Sequence, residues 1–436
     1  MKTMWHLVVS SIIGLSALSC SRQATIEPTP KIAPDESTIQ QVESSYQRTQ
    51  EQARSIAFAF IQKEHKGARG LTRGNLQASF LLRSSIQGLR STGGNATQLV
   101  DTLLYVFNSQ EPKSCLLISG DNRLPEVIGY IPQDTLGLNQ IPRESGISLF
   151  FSDFPEYYKR AIEADQNFRK KIKPWPDQRD FDPELDRHWT TYTYQGDGNE
   201  SIAPICPVQW GQFAPFNSKA PLIDGVRAVA GCTAVATAQL MACHKYPPSI
   251  PGQALDWELL SRSPQSPPFW APEYESFSQQ VSSLLRLVGD LLDNTWGVEA
   301  TGAYTRGIPR ALKSLGYSHT PQEISYNCEA IIASLNSGSP VILSGFNRPK
   351  TKGHAWLCDG YKTHIIKVVY GVDRRRREYD TPEQFILATR SKIEYLLHHN
   401  WGWNGYLDGF FVAGVFIPDR KIDLSHHVNC IPGIKP

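Results

Sequence analysis

Cys232 follows a glycine and opens a run of small residues, Gly231-Cys232-Thr233-Ala234-Val235-Ala236-Thr237-Ala238-Gln239, that closes at His244-Lys245-Tyr246-Pro247-Pro248. Two prolines stop a helix, so the run is expected to be helical with Cys232 in its first turn. Unpaired backbone N–H groups and the positive end of the helix dipole favour a thiolate there. The competing reading is a structural cysteine on an Ala-rich core helix, because free cysteine is among the most buried residue types. A cysteine nucleophile needs a base, and His354 stands out in Lys352-Gly353-His354-Ala355-Trp356-Leu357-Cys358-Asp359-Gly360. The apolar runs on either side read as strands, so His354 begins a strand, and Gly353 lets a substrate backbone come close. Asn400, followed by Trp401, can accept a hydrogen bond from the imidazole and fix its tautomer, with Trp401 shielding that bond from water. The side-chain amide of Gln212 and the Cys232 backbone N–H can together hold a developing oxyanion. Each piece is equivocal alone: a histidine can be structural, and Trp-Gly turns are common packing features. The order Gln212, Cys232, His354, Asn400 in one stretch of chain is not equivocal.

These residues need a scaffold, and 436 residues allow two or three domains. A net charge of +2 leaves no broad positive field for nucleic acid. The basic run Arg374–Arg377 is flanked by Asp373, Glu378 and Asp380 and reads as a solvated loop. Residues 1–20 read as an export signal: Lys2, then an apolar core from Leu7 to Leu18 that is too short to span a bilayer. Ala17 and Ser19 fit ordinary signal cleavage, while Ala17-Leu18-Ser19-Cys20 also resembles a lipobox in which Cys20 is lipidated. Residues 21–50 read as a tether. From Glu36 to Glu64 the pattern is helical, with a stripe of Ala53, Ile56, Ala57 and Phe60. Leu103–Phe107, Cys115–Ser119 and Val127–Ile131 read as strands, and Phe154 to Lys171 as a helix, giving a small antiparallel sheet packed by helices over 51–171. Residues 172–203 lack hydrophobic periodicity and read as an exposed linker open to proteolysis. From 204 to 436 the chain turns rich in Trp, Gly and Pro, as a second and larger domain. The eight cysteines include no C-x-x-C pair, so a common zinc site is not expected, and their pairing is not legible.

The order and local motifs resemble the streptopain family of papain-fold bacterial cysteine peptidases. The resemblance is carried by Trp210 to Asn217, Gly231 to Pro247, Gly353 to Gly360, and Asn400-Trp401-Gly402-Trp403 through Asp408-Gly409-Phe410-Phe411. More loosely, Tyr105–Asn108, Cys115–Arg123 and Ile128–Tyr130 resemble that family's inhibitory propeptide. The resemblance implies an α+β, two-lobed papain-like domain behind a small α+β propeptide. It implies an exported endopeptidase made as a zymogen, with Cys232 as nucleophile, His354 as its partner, Asn400 and Trp401 orienting and covering His354, and Gln212 in the oxyanion site. Gly353 and Gly302 would line the substrate site; the loop Trp296–Tyr304 that holds Gly302 matches the family only in part. No metal or organic cofactor is implied. The expected partners are protein or peptide substrates, the propeptide as intramolecular inhibitor, and a membrane if Cys20 is lipidated; nucleic acid is not among them. Three departures stand out. An insertion over 362–399 carries the arginine run and an expected helix at Thr381–Ser391, Thr233 replaces a common Val, and Asn404 replaces a common Gly. Other readings of the same residues are a catalytically silent surface binding protein, a transpeptidase or amidase, and an inhibitor whose N-terminal block is the functional part.

Overall fold

The computed structural model describes residues 46–65, 72–83, 100, 102–137, 141, 145–169, 186–346, 353–374, 381, 383–416 and 428–436. The export segment with Cys20, nearly all of the 21–50 tether, and Arg375–Arg377 lie outside the described residues. The fold is mixed α/β around one sheet. Its strands are β1 Gln77–Arg83, β2 Thr102–Gln110, β3 Lys113–Ser119, β4 Val127–Pro132, β5 Asp186–Asp197, β6 Ile324–Ser325, β7 Val341–Phe346, β8 Gly353–Arg374, β9 Glu383–Asn400, β10 Gly409–Val412 and β11 Asn429–Ile431. They run β1-β2-β3-β4-β10-β9-β8-β7-β11-β6, with β5 added onto β8. The helices are α1 Gln50–Glu64, α2 Gly146–Arg169, α3 Cys232–His244, α4 Trp257–Ser261, α5 Tyr274–Leu291, α6 Ile308–Ser314 and α7 Cys328–Asn336.

Two cores divide the C-terminal part into lobes. One packs α3 to α6 around Trp210, Phe216, Leu240, Phe277 and Leu284. The other packs α7, together with α2 of the N-terminal block, on the sheet around Phe150, Trp356, Trp401 and Phe411. Helix α3 lies against β8 where the lobes meet. The N-terminal strands do not form a separate sheet. β4 pairs antiparallel with β10, Tyr130 opposite Phe410 and Gly129 opposite Phe411, so the two sheets are continuous. Helix α1 starts where Thr49 and Gln52 cap it reciprocally, and its Phe60 and Ile61 share a core with Tyr130, Leu396 and Phe410. Helix α2 begins earlier than Phe154 because Ile147, Leu149 and Phe150 are buried on the same core.

Two expectations are corrected. Thr381–Ser391 is not a helix: from Glu383 it is strand β9, pairing Phe385 with Val372 and Ala388 with Tyr370. The opposite run, Ile365-Ile366-Lys367-Val368-Val369-Tyr370, is β-branched and aromatic, and pairing with it overrides local helix preference. Thr193–Asp197 is not loose linker either. It is the end of β5, which pairs with β8 from His364 to Arg374 and buries Tyr192 against Ile366, Val368 and Tyr370.

A buried polar seam crosses the centre of the sheet. His398 Nδ1 and Asp359 Oδ1 are 2.6 Å apart, and Asp408 accepts the Trp401 N–H at 2.8 Å. Burial lowers the basicity of His398, but Asp359 outweighs it and holds His398 above the ordinary histidine value. Burial pushes the Asp408 carboxyl up to about 7, against the opposing pull of His398 and the Trp401 N–H. An unfolded aspartate titrates near about 4, so between those values the folded chain binds a proton that the unfolded chain has released. Asp408 therefore contributes stability that is fully present below about pH 4 and lost as pH rises through about 7, worth up to ~4 kcal/mol. Asp408→Asn keeps the acceptor for Trp401 and removes the titration. Urea midpoints measured across this window should fall with rising pH in the wild type and fall less steeply in the variant.

Candidate active site

Cys232 is the first residue of α3, and Gly231 is its N-cap with φ 91° and no side-chain cap. A Cβ on Gly231 would lie 3.0 Å from Thr301 Cγ2 and 3.2 Å from the Thr301 carbonyl, so the turn into the helix demands glycine. Thr233 to Ala242 are all buried, which anchors the helix, while Cys232 keeps part of its surface open. The loop beside it is tied down: Thr301 Oγ1 donates to the Val229 carbonyl at 2.8 Å, and Thr233 Oγ1 to the Ala303 carbonyl at 3.2 Å. Gly302 sits between those contacts, paired with Thr295, and a Cβ there would meet nothing within 4 Å.

Burial opposes ionisation of the Cys232 thiol. The hydrogen bond and charge of His354, with smaller help from the Ala355 backbone and Thr233, outweigh it and hold the thiol below its ordinary value. Here the tertiary structure brings two residues distant in sequence into one couple. His354 is itself buried, at the start of β8, and its Nε2 lies 2.8 Å from the Trp401 carbonyl oxygen. A carbonyl only accepts, so Nε2 carries a hydrogen and Nδ1 is left to exchange a proton. Trp356 and Trp403 flank the ring at 6.1 and 6.3 Å between centroids.

Asn400 lies close by in a different role from the one expected. Its Oδ1 accepts from Gln239 Nε2 at 3.0 Å and from the Gly402 N–H at 3.2 Å, and its Nδ2 donates to the Val208 carbonyl at 2.8 Å. It braces the 401–403 turn against α3, and the backbone of Trp401 meets the imidazole. The Trp401 ring is turned into the core against His399 and Phe411, with its Nε1 donating to the Leu407 carbonyl at 2.8 Å. Gln212 is nearly buried, and its carbonyl accepts the Ala230 N–H at 3.0 Å, which pins its loop beside the start of α3. Gly353 is exposed, and a Cβ there would lie 2.8 Å from the Phe346 ring. Two contributors were not foreseen. The Trp401 carbonyl is backbone and leaves no mark in a sequence. Gln239 accepts from the Trp210 N–H at 2.8 Å as well as bonding Asn400; a lone amide in a buried Ala-rich helix was a legible hint. The N-terminal block also reaches this region: a Cβ on Gly146, at the start of α2, would lie 2.1 Å from Trp401 Cε3.

Residues 210–411 match the Peptidase C10 family, and residues 45–158 match the Spi protease inhibitor family. Streptopain of Streptococcus pyogenes is 24% identical over 446 residues, covering 90% of this chain and 93% of that protein. The thiol protease/hemagglutinin PrtT of Porphyromonas gingivalis is 24% identical over 355 residues, and the match spans only 35% of its length. The prointerpain A fragment of Prevotella intermedia shares the fold, with a TM-score of 0.52 at 19% identity, over 78% of this chain and 98% of the fragment. The chain therefore carries a Peptidase C10 domain, of the streptopain family of cysteine peptidases, with a Spi protease inhibitor domain ahead of it.

Proposed function

We propose that the chain is the zymogen of an exported cysteine endopeptidase in which Cys232 is the nucleophile and His354 its acid–base partner. The observation that carries the reading is the depressed Cys232 thiol beside His354, whose other nitrogen is fixed by the Trp401 carbonyl. The Cys232 thiolate attacks the scissile carbonyl, and His354 gives its proton to the leaving amine. Water, deprotonated by His354, then hydrolyses the thioester. Gln212 and the Cys232 backbone N–H hold the oxyanion, and the Asn400 amide positions the turn that presents the Trp401 carbonyl. The N-terminal block would inhibit through β4 and Gly146, which grip β10 and the Trp401 ring on the element that orients His354. Export through residues 1–20, with Cys20 as a lipid anchor, belongs to the same proposal.

Activation needs a cut between the two domains, and the bonding of the chain from Asp186 onward supports a new terminus upstream of it. Every stretch from Asp186 to Cys206 is bonded to β8. β5 pairs with it, Gly198 N–H donates to the Thr363 carbonyl at 2.7 Å, Ile202 and Tyr361 exchange bonds at 2.9 Å, and Ile205 N–H donates to the Asp359 carbonyl at 2.9 Å. A protease needs a strand it can pull free, and backbone held in a ladder is protected.

Three outcomes test the reading. Cys232→Ala should fold, remain unprocessed and leave casein intact in the presence of a reductant; casein cleavage by that variant would refute the assignment. Gln212→Ala should lower kcat by roughly 100- to 1,000-fold on a peptide substrate with little change in KM. N-terminal sequencing of the processed enzyme should find the terminus upstream of Asp186, with β5 retained.

A further inference from the structure

Cys206 and Cys243 lie outside the chemistry above, yet they meet at the far end of the nucleophile's helix. Cys206 is held in place by its backbone, whose N–H donates to Asp359 Oδ2 at 3.1 Å. Its Sγ lies 3.3 Å from the Val208 carbonyl and 3.7 Å from the Gln239 carbonyl. Gln239 is one helical turn before Cys243, so its carbonyl oxygen points at the Cys243 backbone, and the Cys243 Cβ leans back over the same turn. The Cys206 sulfur is thereby set beside the Cys243 side chain. Burial, and then the facing Cys206 thiol, push the Cys243 thiol well above its ordinary value, as two groups too close to ionise together would. As residues, Cys206 and Cys243 are partly buried, whereas Cys115, Cys328, Cys358 and Cys430 are buried. Cys232 stands at the opposite end of α3, about 16 Å along the axis from Cys243, beyond disulfide reach.

We propose that Cys206 and Cys243 close into a disulfide when the protein enters an oxidising compartment, fastening the first residues of the peptidase domain to the C-terminal end of α3. The proposal rests on the export reading for its setting and on the facing thiols for its chemistry. One cysteine thiolate attacks a sulfur of an external disulfide, oxidised glutathione or an exported thiol oxidoreductase, and expels one thiolate. The other cysteine loses its proton and displaces the remaining half. Two protein thiols are oxidised, and the external disulfide leaves as two thiols. The staple would keep the segment that follows the linker seated on the nucleophile's helix after the linker is cut, without consuming Cys232.

The test uses the full-length Cys232→Ala chain, which cannot process itself. Reduced protein is incubated with oxidised glutathione, denatured, alkylated and mapped by mass spectrometry without reductant. A peptide joining Cys206 to Cys243 is expected, together with a urea midpoint that drops on adding reductant. The Cys206→Ser/Cys243→Ser double variant should show neither effect. Full alkylation of both cysteines after that oxidation would overturn the pairing. The same mapping on protein isolated from the cell envelope or medium tests the setting separately: a linked pair there supports the full proposal. A pair that forms with glutathione while the isolated protein stays reduced would overturn the oxidising setting and leave the reading of Cys232 as nucleophile intact.

Discussion

The structure depends on one contact across a lobe boundary, that between the Cys232 thiol and His354. Burial penalises the thiolate, so the charge and hydrogen bond of the imidazole must offset that cost. Neither lobe supplies both groups: Cys232 is the first residue of a helix of one core, and His354 opens a strand at the edge of the other. The amides of Asn400 and Gln239 cross the same boundary and join Trp210, Val208 and Gly402 in one buried network. Such a network is stable only when each member is satisfied, which makes the relative position of the lobes specific rather than adjustable.

The inhibitor domain uses the same sheet. Strand β4 extends it edge to edge through two residue pairs, a contact whose register is fixed by the ladder. Side-chain burial supplements the ladder: Phe60 packs with Tyr130 and Phe410, and Glu64 pairs with Lys362 at 2.5 Å. Glu64 and Lys63 of α1 face Lys362 and Asp197, so the same helix touches both the inserted hairpin and the strand that follows the linker. The insertion thus has a structural task. Its two strands give the chain leaving the inhibitor domain a sheet edge to run along, and cover that edge with β5.

Much of the site was legible because its reactive side chains carry their own signals. Gly231-Cys232 before an Ala-rich run marks a helix start, and Gly353-His354 before an apolar run marks a strand start; both appear where expected. The strands of the inhibitor domain were legible from their apolar runs bounded by turn residues. The inserted hairpin was not: Ala388 and its neighbours are compatible with a helix, and only the partner strand makes them extended. The orienting acceptor on His354 was not legible either, because any residue in that position supplies a carbonyl.

The amino-acid sequence by itself determined the candidate reacting groups, their order and the domain ahead of them, since these follow from side-chain identity and local periodicity. The tertiary structure decided which group meets which. It gave the histidine a backbone carbonyl, turned the asparagine into a brace between lobes, bound the linker as a strand, and set Cys206 against Cys243. The physical reason is the same in each case. A hydrogen bond or a strand pairing has a partner, and the partner is chosen by packing over distances that no local pattern records.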